Sequence, residues 1–265
     1  MNDKQRLPAF YVPHGGGPCF FMEDPQGIWT GMADFLRTLP ASLPVRPRAI
    51  LVVSGHWETA GFATTASPQP PLVYDYFGFP AHTYQLRYDA PGDSALAADV
   101  VARLQAAGYA AKTDAQRGLD HGVFVPLKVI YPQADIPVVE LSLDRGLDAA
   151  LHVRIGHALA PLRDEGVLLL CAGMSFHNLR AFGDPRVLAP SKQFDEWLGA
   201  AVALPGDSRA ARLADWAQAP AAQLAHPRHE HLLPLMVAAG SSALPGRRIY
   251  NEVVLGSVIS GFAFD

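Results

Sequence analysis

Histidine is the residue type whose placement in this sequence points to chemistry. Three of the ten histidines follow an apolar run directly or within a few residues: His14, His56 and His177. Short apolar runs predict buried strands, and the carboxyl ends of strands are where open α/β sheets collect ligands. Neutral imidazole is also the commonest metal ligand in proteins. The sequence therefore predicts a mononuclear metal site at one edge of a sheet.

Glycine stands beside two of these histidines, His14 and His56. A small neighbour lets an imidazole lean over the sheet edge, and glycine permits backbone angles and close approaches that other residues forbid. The glycine run at 15–17 has a second interpretation as a phosphate-binding loop. It has neither the GxGxxG pattern nor a GK[ST] ending, so the metal site is the favoured interpretation.

A fourth histidine, His121, lies between Asp120 and Gly122 at the predicted start of a helix. Asp120 could orient the imidazole as its hydrogen-bond partner. It could equally cap the helix that follows. The local sequence leaves both roles open.

A fifth region places three histidines and a glutamate within six residues, at 226–231. Proline followed by charged residues and an apolar run is typical of a helix start. A side chain in the first turn can project toward a sheet edge, where a metal would lie. Glu230 could be a metal ligand, a base beside the ligands, or an acid that matches the helix dipole.

The remaining histidines show less chemical context. His152 and His157 lie within a predicted amphipathic helix and are expected to be structural or inert. His82 could line a pocket, although no other ligand type surrounds it in the sequence.

Composition restricts the class of protein. The 265 residues fit one α/β domain covering 1–265, and 49% hydrophobic with 17% charged residues is globular composition. The formal charge of −4 provides no basic surface for nucleic acid. A small-molecule substrate is therefore expected. Nothing in the sequence specifies an oligomeric state.

Cysteine usage and hydropathy narrow the setting. Cys19 and Cys171 show no CxxC spacing, which argues against a disulfide scaffold and a structural zinc knot. The chain starts without a charged-then-apolar leader, and no apolar stretch approaches the roughly 18 residues that span a bilayer. A cytoplasmic protein without a membrane partner is the expectation.

Short β-branched runs alternate with longer amphipathic segments, which predicts an α/β fold with a central mixed sheet flanked by helices. The aromatic, proline-rich segment at 67–80 is expected to fold over another part of the molecule. Predicted strands lie at 8–13, 48–54, 82–87, 137–142 and 166–172, with a final strand or hairpin at 253–262. Predicted helices lie at 28–39, 93–107, 123–131, 147–163, 190–203, 208–217 and 230–239.

Five short motifs together resemble a known family in order and spacing. They are PHGGGP at 13–18, SGHW at 54–57, LDHG at 119–122, SFHNL at 175–179 and EHLLPL at 230–235. The sequence resembles the class III extradiol ring-cleavage dioxygenases, in the single-chain 4,5-DOPA dioxygenase branch. This is the superfamily of the protocatechuate 4,5-dioxygenase catalytic subunit. Each motif is weak alone, but five in order cover nearly the whole chain and make the resemblance specific.

The resemblance implies a role for each motif histidine. His14, His56 and His231 would bind the metal. His177 would be the acid/base residue, and His121 would lie on the substrate side.

Two departures from the family pattern concern the ligands. Gly55 stands where alanine is common, which is a small change. His229 stands where the family more often has an acidic residue or proline. It competes with His231 as third ligand, or alters the polarity beside the ligands together with Glu230.

Three further residues are candidates for substrate contact: Asp120, Arg180 and His82. Arg180 could meet a substrate carboxylate through a bidentate contact. A surface arginine is the alternative.

The resemblance implies a non-haem Fe(II) enzyme that cleaves the ring of a catechol with O2 to a muconic semialdehyde. Three protein ligands on one face leave room for substrate and O2. An all-histidine set also permits Zn(II) in purified protein, although zinc cannot exchange electrons with O2. The alternatives are a zinc hydrolase that uses a metal-bound water and a non-catalytic binding relative. The sequence does not distinguish DOPA from protocatechuate or another aromatic diol.

Overall fold

One sheet of eight strands organises the computed structural model, which describes residues 6–265. The strands are β1 (Ala9–Pro13), β2 (Ala49–Thr59), β3 (Phe62–Thr65), β4 (Ala111–Asp114), β5 (Val138–Asp144), β6 (Val167–Gly173), β7 (Arg247–Val254) and β8 (Ser257–Phe264). Their order across the sheet is β4-β3-β5-β2-β6-β1-β8-β7.

The centre of the sheet is parallel and its flanks are mixed. β5, β2, β6 and β1 pair in parallel, whereas β8 runs antiparallel to β1, and β3 antiparallel to β5. The carboxyl ends of the four central strands therefore meet at one edge. The predicted fold class, α/β with a mixed sheet, is confirmed.

Helices cover both faces of the sheet. They are α1 (Thr30–Thr38), α2 (Ser94–Ala106), α3 (His121–Ile130), α4 (Ala149–Leu159), α5 (Leu188–Val202), α6 (Gly206–Ala214), α7 (Ala222–Ala225) and α8 (Leu233–Gly240). None of the helices in the described range is long and apolar enough to cross a membrane.

Alternate residues of β1 enter two separate apolar cores. Tyr11 packs into the core that contains residues of α2, α4 and α8, whereas Phe10 and Val12 pack into the core of α1 and α3. Because central parallel strands are buried on both faces, their sequences are apolar at nearly every position. This explains why β1, β2, β5 and β6 were recognisable as continuous runs.

One predicted strand is wrong. Residues 82–87 do not join the sheet; Ala81–Gln85 forms a 3-10 helix in the loop before α2. The Thr83 hydroxyl donates to the carbonyl of Pro80 at 2.7 Å, a local bond that favours a turn over a strand. β3 and β4 were missed because four residues are too few to show a period.

The C-terminal segment forms a hairpin. β7 and β8 pair antiparallel, and the connection places Leu255 and Gly256 at positive φ, 49° and 77°. Positive φ at both central residues is typical of the tight turn that matches strand twist. The prediction of a strand or hairpin here is confirmed as a hairpin.

Candidate active site

Three motif histidines meet at the carboxyl edge of the central strands. His14 directly follows β1, and its N–H donates to the carbonyl of Gly173 at the end of β6, at 3.2 Å. His56 lies in β2 where the register against β5 shifts between Val53 and Glu58. Such irregularities bend a strand and redirect its side chains. This bend carries His56 toward His14.

The backbone of His231 is fixed to the same edge. Its carbonyl accepts hydrogen bonds from the Tyr11 hydroxyl at 2.9 Å and from the Met174 N–H at 3.1 Å. Two glycines make this approach possible. A Cβ at Gly173 would lie 2.2 Å from the His231 oxygen, and one at Gly55 would lie 3.3 Å from the His231 Cα.

The three imidazoles converge on one point. The Nε2 atom of His56 lies 3.3 Å from that of His14 and 3.1 Å from that of His231. Two nitrogens that bind one ion at about 2.1 Å, with an angle of about 90–110° between them, are separated by roughly 3.0–3.4 Å. Both separations from His56 therefore fit nitrogens that share one metal ion.

Each of these imidazoles has an oxygen beside its Nδ1 atom. The partners are the Gly15 carbonyl for His14 at 2.9 Å and Glu230 Oε1 for His231 at 2.8 Å; Asp75 Oδ2 lies 3.5 Å from His56 Nδ1. An oxygen acceptor places the proton on Nδ1 and leaves the Nε2 lone pair free. The tautomers suit metal binding.

Burial keeps the three rings neutral. It lowers the pKa of His14 and of His231 well below the usual value, and the neighbouring histidines lower both further. The pKa of His56 falls to about 4 for the same reasons, partly offset by Asp120 and Asp75. Neutral imidazole is the form that binds metal.

Glu230 connects two histidines of the cluster. Its Oε1 atom accepts from His231 and lies 3.5 Å from His177 Nδ1, while Oε2 lies 3.2 Å from Arg228 Nη1. Burial raises the pKa of Glu230, but hydrogen bonds from His177 and His231 outweigh it and hold the pKa well below the usual range. The carboxylate is therefore an anion that orients the histidines around it.

His177 lies against the cluster. Its ring stacks on that of His231, with centroids 3.4 Å apart and an interplanar angle of 19°. Its backbone N–H is held by the carbonyl of Ala225 at 2.9 Å. The side chain stays 18% exposed, so His177 can reach both the cluster and solvent.

His121 is oriented by a carboxylate that was not predicted. It is the first residue of α3, and both its Nδ1 and its backbone N–H bond Asp75 Oδ1, at 2.8 and 3.0 Å. Burial raises the pKa of Asp75, but the hydrogen bond and charge of His121 outweigh this effect and lower the pKa to about 2. The available signal was an acid between Tyr74 and Tyr76 in the segment expected to fold over another part of the molecule.

Asp120 has neither of the two roles left open for it. Its side chain accepts from the Ser54 hydroxyl at 2.8 Å and from Arg117 Nη2 at 2.9 Å, fully buried. It makes no side-chain cap of α3, and Asp75 orients His121 instead. Asp120 thus holds Ser54 in β2, two residues before His56.

Three other candidates lie away from the cluster. His82 is exposed and its Nε2 bonds the Phe21 carbonyl at 2.9 Å. Arg180 is exposed next to Leu179 at the surface. His229 points to the Leu147 carbonyl, at 2.7 Å from Nε2, so His231 and not His229 joins the cluster. His152, expected to be structural, is buried; its Nδ1 bonds the Asp148 carbonyl at 2.7 Å and its Nε2 accepts from the Asp144 N–H at 3.3 Å.

The donor atoms form two close sets. Each set has three atoms within 4.8 Å of one another: one from His14, His56 and His121, the other from His177, Glu230 and His231. The 3.1 Å separation between the Nε2 atoms of His56 and His231 joins the two sets.

A cavity of about 480 Å³ opens over the imidazoles. The segment 67–80 forms one wall, and Phe79 packs so closely on Gly17 that a Cβ there would lie 2.8 Å from its ring. The apolar lining residues are Trp29, Tyr76, Phe77, Phe79, Met174, Leu179, Phe182 and Leu255. The polar ones are His14, His56, Asp75, His121 and His177.

Comparison with known proteins identifies the family. Residues 8–260 match the family described as the catalytic LigB subunit of aromatic ring-opening dioxygenase. The chain belongs to the LigB family. LigB dioxygenases depend on a metal, which agrees with the histidine and glutamate cluster. The predicted enzyme class, an oxidoreductase of the extradiol ring-cleavage type, is confirmed.

Named relatives support this membership. A 4,5-DOPA dioxygenase extradiol from Beta vulgaris is 42% identical over 74% of this chain and 74% of its own length. The dioxygenase tasH from Hapsidospora irregularis is 36% identical over 94% and 82%. The crystal structure of an uncharacterized protein from Escherichia coli K12 superposes with a TM-score of 0.78 at 31% identity, covering 98% of this chain and 100% of that one.

Proposed function

We propose that this LigB-family protein is a non-haem Fe(II)-dependent extradiol dioxygenase that opens the ring of a catechol-type substrate with O2 to a muconic semialdehyde. The observation that carries the proposal is the cluster of three neutral imidazoles, in which the Nε2 atom of His56 lies 3.3 Å from that of His14 and 3.1 Å from that of His231, beside an apolar cavity that His14 and His56 line. Relatives described as 4,5-DOPA dioxygenase extradiol support a catechol as substrate.

His14, His56 and His231 are the proposed ligands. When bound, Fe(II) would bring the catechol oxygens and O2 into one coordination sphere. The protein contributes tautomer control, because the Nδ1 atoms of His14 and His231 are hydrogen-bonded to oxygens.

His121 is proposed to take a proton from a substrate hydroxyl. Asp75 holds its Nδ1–H, which leaves Nε2 as the free acceptor on a residue that lines the cavity. The Asp75 carboxylate would also stabilise the imidazolium that forms when the proton arrives. Asp75 is thus a positioning residue that acts through His121.

His177 is proposed to hold and return a proton as the ring opens. It lines the cavity, stacks on His231 and stays partly exposed. Its Nδ1 atom lies 3.5 Å from Glu230 Oε1, so the carboxylate can orient the ring during the transfer.

The proposal is tested by reconstituting metal-free protein with Fe(II) under anaerobic conditions and then adding O2 with a panel of catechols. We expect O2 uptake that matches catechol consumption, and a yellow ring-opened product. Protein loaded with Zn(II) is the matched control and should consume no O2. Absence of turnover with every catechol would contradict the proposal, and oxygen-independent hydrolysis by the zinc form would support the hydrolase alternative.

A further inference from the structure

We infer that the preferred substrate is a catechol whose ring substituent is uncharged and apolar, in place of one that carries a carboxylate. This inference rests on the proposed function and names its substrate class. Three observations carry it: the charges of the cavity wall, the pairing of nearby arginines, and the apolar rim.

The cavity wall has no fixed positive charge. Among the described residues that line it, none is lysine or arginine, and Asp75 is the one carboxylate. Its Oδ1 atom already accepts from the Nδ1 and the backbone N–H of His121, at 2.8 and 3.0 Å. A substrate carboxylate that leaves water needs a cationic or hydrogen-bonding partner, and an oxygen acceptor such as Asp75 cannot supply one. The wall therefore disfavours acidic substituents.

Two arginines close to the site are held in ion pairs, and a third does not line the cavity. Arg228 pairs with Glu58 at 2.6 Å and with Glu230 at 3.2 Å. Arg117 pairs with the buried Asp120 at 2.9 Å and lies over the Trp57 ring. Arg180 follows the rim residue Leu179 but is not part of the cavity wall. A substrate carboxylate would have to break an existing ion pair to recruit one of the first two.

The mouth of the cavity is apolar and open. Phe77 is 92% exposed and Leu179 is 72% exposed, and both line the cavity together with Phe182 and Leu255. Large apolar side chains that cluster at the mouth of a cavity are typical of a surface that contacts an apolar ligand. A cavity of about 480 Å³ also lies in the range that accepts ligands larger than a single ring. A hydrocarbon substituent would cover this rim.

The test compares kcat/KM of the Fe(II)-reconstituted enzyme for a matched pair: 3-(3,4-dihydroxyphenyl)propionate and its uncharged methyl ester. We expect the ester to be favoured at least about tenfold. In the 4-methyl, 4-ethyl and 4-propyl catechol series, each added methylene should raise kcat/KM about fourfold.

Equal or better turnover of the carboxylate, of DOPA, or of the cationic 4-(2-aminoethyl)catechol would overturn the inference while leaving the proposed function intact. Absence of turnover with all of these compounds would overturn the proposed function and the inference with it. The two failures are thereby distinguishable.

Two rim variants separate charge from shape. Leu179→Arg introduces the missing cation and should shift the preference toward the carboxylate about tenfold, whereas Leu179→Gln should leave the ratio of the two substrates nearly unchanged. Equal shifts in both variants would overturn the charge argument. Arg180→Gln should leave the ratio unchanged, and a larger preference for the ester in this variant would show that Arg180 contacts the carboxylate.

Discussion

The two ends of the sheet differ in whether their buried polar side chains have all their hydrogen-bond partners. At the amino end, the fully buried Arg163 donates to the carbonyls of Leu7 at 2.8 Å, Ser241 at 2.7 Å and Phe264 at 2.8 Å. Burial lowers its pKa to about 10, so it remains charged at neutral pH. Its three bonds join the start of β1, the end of α8 and the end of β8.

At the carboxyl end, only one of the two ring nitrogens of His14 and of His231 has an oxygen partner. The Nδ1 atoms of His14 and His231 have oxygen partners, but the Nε2 atoms face one another. Facing lone pairs repel, and burial disfavours the protons that would relieve them. A buried polar group whose hydrogen bonds are all made within the chain has a structural role. A group of nitrogen lone pairs without hydrogen-bond donors, directed toward one another, indicates a ligand site.

The largest expected effect separates His231 from His229. His231→Ala should lose bound iron and reduce activity to background, because one of three proposed ligands is removed. His229→Ala is the matched control two residues away and should retain iron, since its Nε2 bonds Leu147. Metal content and O2 uptake measure both variants. If His229→Ala lost iron and His231→Ala retained it, His229 and not His231 would be the third ligand.

A substitution at the amino end should change the stability of the fold and not the binding of iron. Arg163→Met leaves three buried carbonyls without their donor and should lower the free energy of unfolding by about 3 kcal/mol or more. Urea denaturation measures the loss. Iron bound per folded molecule should be unchanged, and a variant that keeps its stability but loses iron would contradict the comparison.

Asp75→Asn tests the orienting bond to His121. An amide of the same shape cannot provide the negative charge, so kcat per bound iron should fall about 10- to 100-fold. An unchanged kcat would show that Asp75 only shapes the loop.

The smallest effect concerns His226, which is buried near the cluster without belonging to it. Its Nε2 bonds the Ser175 carbonyl at 3.0 Å, and burial lowers its pKa to about 3. The unfolded chain takes up a proton near pH 6.5, so stability is present above that pH and is lost as the pH falls toward 3.

Between pH 7 and 5.5 this residue should account for about 1 kcal/mol of lost stability. His226→Gln should remove that part of the pH dependence, as measured by urea midpoints at the two pH values. The wild type and the variant showing the same pH dependence would exclude a buried neutral His226.

Local patterns predicted the parts of the fold that lie in the middle of the sheet. β1, β2, β5 and β6 are apolar because helices cover both of their faces. The predicted strand at 82–87 failed because Thr83, a strand-forming residue type, uses its hydroxyl to close a turn on Pro80. The β-branched composition alone could not show this bond.

The sequence by itself determined that His14 follows a buried strand, because an apolar run and the glycines after it are local features. It did not show that β2 continues to Thr59, so that His56 lies within a strand and not at its end. Only the tertiary structure decided that His231 and not His229 faces the cluster, since neighbouring side chains on one backbone point in different directions. It also decided that Asp75, 46 residues before His121, provides the orienting carboxylate. Such pairings depend on how a loop packs over the sheet edge. The number of residues between two side chains does not show whether the fold brings them into contact.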